Sequence, residues 1–121
     1  MKTEELKLRT QKFALRIIKL VQSLSKGKVS DVIGHQLLRA GTSIGANYRS
    51  ACRARSQADF ISKITVVEEE ADESLYWLEL ILEAGLIKKE LLTGIMQEAK
   101  ELTAIFTASG KTAKNNKNKF K

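Results

Sequence analysis

The chain has no proline, one cysteine, one histidine and few aromatic residues, the last making up 6% of its 121 positions. Without proline the strongest helix breaker is missing, and so few aromatics suit long helices better than a sandwich of short strands. Cys52 has no second cysteine to pair with, which excludes an intrachain disulfide and a cysteine-based zinc site and fits a reducing, cytoplasmic setting. His35 is the sole histidine, with Val32 and Leu38 three places away, so the Glu-x-x-His pairs of di-iron bundles cannot be built. A Ser-His-Asp grouping and a phosphate-binding glycine-rich loop are likewise missing. The expectation is a protein that is not an enzyme and holds no metal or cofactor. Long apolar runs are absent too. The richest, Leu75 to Leu82, contains Glu79 and falls far short of the roughly 20 apolar residues of a membrane span. Met1 to Leu20 is broken by charges every few residues, unlike a signal peptide, and no membrane partner is expected.

Charge, by contrast, is abundant and unevenly placed. Residues 1–63 carry 13 Lys/Arg against 4 Asp/Glu, residues 64–109 carry 3 against 10, and residues 110–121 carry 5 against none, for a net +7. A basic half beside an acidic half serves either of two uses: attraction of a polyanion such as RNA or DNA, or pairing of opposite charges between helices or subunits.

Apolar periodicity predicts four helices at about 3–25, 31–54, 57–84 and 88–109, followed by a basic, disordered tail over 110–121 that is too polar to repay its ordering. Thr3 and Ser30-Asp31 are candidate caps for the first two helices, and Gly27 a left-handed stop between them. Ser56-Gln57-Ala58-Asp59 resembles a capping box opening the third helix, and Gly85 ends it. With short loops these segments make an all-α, antiparallel, up-down-up-down four-helix bundle. The first 109 residues form the bundle in this reading.

On a wheel of 100° per residue from Arg39, Arg49 and Arg53 fall at about 280° and 320°, opposite the core stripe of Ile33, Leu37, Ala40, Ile44, Tyr48 and Ala51. Thr42, Ser43 and Ser50 lie beside them. Three guanidinium groups with neighbouring hydroxyls suit phosphate oxygens by charge and fork geometry; the plain alternative is a solvated face or pairing with glutamates. Lys111 and Lys114 of the tail join the arginines as candidate nucleic-acid contacts. Gly41 and Gly45, at the edge of the core stripe, permit close approach of a helix from this subunit or another. They are candidate oligomer-interface positions. Cys52 is read as a small buried hydrophobe. On the third helix Glu68, Asp72, Glu79 and Glu83 line one flank, available for pairing with basic residues. Tyr76 and Trp77 cannot both face the core, so an exposed aromatic beside Glu79 completes the candidate interface.

The run Leu38-Arg39-Ala40-Gly41-Thr42-Ser43-Ile44-Gly45-Ala46-Asn47-Tyr48, then Ala51-Cys52-Arg53-Ala54, Asp59-Phe60-Ile61, Glu70-Ala71-Asp72-Glu73 and Tyr76-Trp77-Leu78-Glu79, resembles the family of 23S rRNA intervening-sequence proteins in order and gaps. That resemblance implies a bacterial four-helix bundle assembling as a ring-like homopentamer. The accessory protein of diversity-generating retroelements is similar, with a basic surface implicated in binding nucleic acid and a protein partner. The expectation is a non-enzymatic oligomer that presents Arg39, Arg49, Arg53 and the tail to RNA or DNA. The alternative is an interaction scaffold whose charges serve self-assembly or a protein partner.

Overall fold

Apolar residues spaced three and four apart give each helical segment one water-excluding face, and burying those faces against one another sets the architecture. The structure, a computed structural model, describes residues 1–119; Phe120 and Lys121 of the expected tail lie outside the described residues. Helix α1 spans Thr3–Gln22, α2 Lys28–Cys52, α3 Gln57–Glu83 and α4 Lys89–Lys119. They form the expected all-α, up-down-up-down bundle. Neighbours in sequence are neighbours in space, α1 on α2, α2 on α3 and α3 on α4, while α1 and α4 touch at few points. The bundle therefore has one loose seam.

Its centre is filled by Phe13 and Ile17 of α1, Leu37 and Ile44 of α2, Ile64 and Leu78 of α3, and Leu102 and Phe106 of α4, all buried. The rings of Tyr48 and Phe106 meet across it with centroids 5.3 Å apart and planes tilted by 51°. Such a pair adds about 0.5–1.5 kcal/mol beyond the area it buries.

Two helix ends follow the sequence closely. The Ser56 Oγ accepts the Asp59 amide at 3.0 Å, capping α3. At the other end Gly85 takes φ +69°, and the amides of Leu86 and Gly85 close onto the carbonyls of Ile81 and Leu82 at 3.0 and 3.1 Å. That is a Schellman ending, which satisfies two carbonyls the helix would leave open.

Other ends differ. Helix α1 stops at Gln22 rather than near Ser25, and Thr3 is its first residue, with no side-chain cap. Helix α2 starts at Lys28, three residues before Asp31, because nothing between Gly27 and Asp31 resists helix and Asp31 favours the dipole from within the first turn. Gly27 is extended at φ 161°, not left-handed. The largest difference is at α4, which runs through Gly110 to Lys119 where a tail was expected from residue 110. Packing explains it. Ala113 is buried and its carbonyl accepts the Gln57 side-chain amide at 3.0 Å, so this stretch has a partner that composition cannot reveal.

Candidate nucleic-acid interface

Three arginines lie on the outer side of α2, yet their neighbours divide them. Arg39 leans toward α3, where its guanidinium donates to Glu70 at 3.2 Å and to Glu73, while Gln36 accepts from its Nε at 3.2 Å. Glu73 also accepts the Trp77 indole N–H at 3.0 Å. Burial pushes the Glu70 carboxyl above its ordinary range, and the positive charge of Arg39 works against that rise. Arg39 is thus committed within the chain. The alternative reading, pairing with helix-three glutamates, holds for this arginine, with the partners in the same subunit.

Arg49 leans the other way, toward α1, and donates to the neutral Gln11 Oε1 at 3.1 Å. It lies one turn, about 6 Å, from Arg53 along the axis. Together with Lys7, Leu8, Gln11 and Glu4 these two arginines line a cleft of about 440 Å³ between α1 and α2. Glu4, the only carboxylate in the lining, is taken by Lys7 at 3.3 Å. Among the described residues no carboxylate pairs with Arg49 or Arg53. The cleft is a cationic groove with a shallow apolar wall from Leu8.

Two of the three hydroxyls expected beside the arginines, those of Thr42 and Ser43, are engaged elsewhere. Thr42 Oγ1 donates to the Leu38 carbonyl at 2.7 Å and Ser43 Oγ to that of Arg39 at 2.6 Å. With their protons bonded back into α2, they have none to offer a phosphate. Lys111 and Lys114 are exposed on the last turns of α4, at the same end of the bundle as Arg53 but on another helix.

Gly41 and Gly45 point at α1 of the same chain. A Cβ on Gly41 would lie 2.8 Å from Ile17 Cγ1, and one on Gly45 3.1 Å from Thr10 Oγ1. Their small size is used inside the subunit, against α1. Bringing α1 this close is also what sets Gln11 against Arg49. Tyr76 is half exposed and Glu79 exposed, whereas Trp77 is half-buried, packed on the core and edge-on to Tyr76 at 5.0 Å.

One cluster escaped the sequence reading. Arg9 of α1 forks onto Glu98 of α4, with its Nε and Nη2 each 2.7 Å from a carboxylate oxygen, and Nη2 reaches Glu101 at 3.0 Å. The bond to Glu98 raises the Arg9 pKa, although partial burial opposes it. This is the tie across the loose seam. Glu98 and Glu101 do share one helix face at i and i+3, but nothing in the sequence says that α1 lies opposite them.

The family model for the 23S rRNA-intervening sequence protein matches residues 4–108. A solved structure of a protein with unknown function, from the S23 ribosomal protein family of Bacteroides thetaiotaomicron VPI-5482, is 38% identical, covers 92% of this chain and 99% of its own, and superposes with a TM-score of 0.84. No curated protein matches the chain. Among the described residues no helix is long and apolar enough to cross a membrane.

Proposed function

The chain belongs to the 23S rRNA-intervening sequence protein family, and from that premise we propose that it is a non-enzymatic protein that binds nucleic acid through the α1–α2 cleft. The carrying observation is the cleft's unneutralised pair of arginines, Arg49 and Arg53, with Lys7 at its rim. Guanidinium groups one helical turn apart match successive phosphate oxygens, and their charge draws a polyanion from a distance. Lys111 and Lys114 extend the basic end of the bundle. Arg39 is left out of this surface because Glu70 and Glu73 already hold it. Charge without planar groups aimed at base edges gives affinity rather than sequence preference. Binding to a single-stranded or duplex oligonucleotide across a salt series tests the proposal. The affinity should fall by about 0.7–0.9 log unit per tenfold salt for each phosphate engaged. A flat response contradicts it.

A second observation favours self-assembly alongside binding. On α1 the exposed Leu8 and Leu15 share a stripe with Lys12 and Lys19; on α3 the exposed Tyr76 shares one with Glu69, Asp72 and Glu83, with Glu79 at its edge. Helices α1 and α3 occupy opposite corners of the bundle. The basic stripe of one copy can therefore meet the acidic stripe of the next, a head-to-tail contact of the kind that generates rings. Lys19→Glu should lower the mass in light scattering, and adding Glu79→Lys should restore part of it. A mass unaffected by either change removes this interface.

A further inference from the structure

The cleft between α1 and α2 does not stop at Arg49. A second cavity, of about 350 Å³, adjoins it along the same pair of helices and shares Lys7, Gln11 and Arg49 with it. Beyond those three its walls are Thr10 and Ala14 of α1 and Thr42, Gly45 and Ala46 of α2. The two cavities make one trough, which follows α2 for about 16 Å from Arg53 to Thr42.

The two ends of the trough differ in chemistry. At the Arg53 end cations stand on both walls, Lys7 on α1 and Arg49 and Arg53 on α2, so one anionic backbone lying between them is contacted from two sides. At the Thr42 end no charged side chain lies beyond Lys7 and Arg49. The hydroxyls there donate back into their own helices, Thr10 to the Leu6 carbonyl at 2.8 Å and Thr42 to that of Leu38 at 2.7 Å, and Ala14, Gly45 and Ala46 present little bulk. That end accepts a neutral group by shape and asks for no particular hydrogen-bond partner. Its volume is at the lower end of the roughly 300–1,000 Å³ of small-ligand pockets, room for one nucleoside unit. Gln11 and Arg49 meet between the two ends, bonded at 3.1 Å. A phosphate oxygen is a stronger acceptor for a guanidinium than a neutral amide, so Arg49 exchanges Gln11 for it readily.

Given nucleic-acid binding at this cleft, on which the inference rests, we propose that the trough receives a single strand, its phosphates between Lys7, Arg49 and Arg53 and one unpaired nucleoside in the Thr42 end. A duplex cannot fill both ends. Its bases are paired inside, and its phosphate ridges stand about 12 Å apart across the major groove, so a ridge touches the arginines while the Thr42 end stays empty. Charge alone favours the duplex, whose phosphates are more densely placed. A preference for the single strand therefore marks the trough rather than a bare basic patch. No aromatic ring lines either cavity, so the preference comes from fit and is smaller than base stacking would give.

Fluorescence anisotropy at one moderate salt concentration provides the test, with a short labelled strand free of self-pairing set against the same strand annealed to its complement, as DNA and as RNA. The single strand should bind about fivefold more tightly than the duplex. A preference confined to one of the two chemistries assigns that chemistry to the trough. Ala46→Leu, which fills the Thr42 end without changing charge, should bring the single strand down to near the duplex while keeping the wild-type helical circular dichroism. Equal binding of the two forms, tighter binding of the duplex, or a preference undiminished in a folded Ala46→Leu would overturn the single-strand assignment and leave the cleft a nucleic-acid site. Failure of both forms to bind even at low salt would remove the nucleic-acid reading and the single-strand trough with it.

Discussion

Toward α3, the outer side of α2 places Arg39 between Glu70 and Glu73; toward α1, it places Arg49 against the neutral amide of Gln11, with Arg53 one turn further on. The residue type and helix are the same, and the exposed faces lie close on the wheel. What differs is the neighbour. Helix α3 is the acidic helix of the bundle and α1 a basic one, so a guanidinium facing α3 is neutralised and one facing α1 meets a neutral amide rather than a carboxylate. Two arginines on one flank are available to a ligand while the third holds helices together. The flanks also differ in how they close, α2–α3 by side chains and ion pairs, α2–α1 by the near absence of side chain at Gly41 and Gly45.

Changes on either flank can break this contrast. The largest effect is expected from Arg9→Ala, which strips Glu98, only 18% exposed in its side chain, of its partner and removes the ion pair across the loose α1–α4 seam. A loss of about 2 kcal/mol in urea unfolding is expected, as for charged hydrogen bonds in partly buried sites. A loss near zero would mean that the glycine-lined contact suffices by itself. Gly41→Ala comes next. Its Cβ would meet the buried Ile17 at 2.8 Å, so overpacking of about 1–3 kcal/mol outweighs the roughly 1 kcal/mol that alanine gains in helix propensity. Gly45→Ala, facing the Thr10 hydroxyl at 3.1 Å, should be milder in the same experiment. If both alanines stabilise, the close approach of α1 has been misjudged. The smallest effect belongs to Arg39→Ala, where a half-exposed, solvent-screened pair contributes less than about 1 kcal/mol. Oligonucleotide affinity should be unchanged in that variant.

The asymmetry between the flanks was only half legible in the sequence. Periodicity of Leu37, Ile44 and Ile64, the cap at Ser56 and the stop at Gly85 are local signals, and each placed its element correctly. The wheel put the arginines opposite the core, which they are. It could not say which helix each guanidinium leans on, because that depends on the register of helices 31 to 89 residues apart in sequence. Arg39 with Glu70 and Arg9 with Glu98 are both of this kind. The glycines at 41 and 45 announced a close approach without naming the partner, and α1 of the same chain is the answer. The turns after Gly110 are hidden from composition for the converse reason: a Lys- and Asn-rich stretch describes solvent exposure and says nothing of the buried Ala113 and its Gln57 partner, which dock a helix already under way.

The division into an available Arg49 and Arg53 and an occupied Arg39 is tested most directly by the salt dependence of oligonucleotide binding. For Arg49→Ala combined with Arg53→Ala the slope of log affinity against log salt should shrink by about 1.4–1.8 relative to the wild type, two phosphate contacts' worth, while Arg39→Ala leaves it unchanged. A slope that shrinks in Arg39→Ala and holds in the double variant would contradict it.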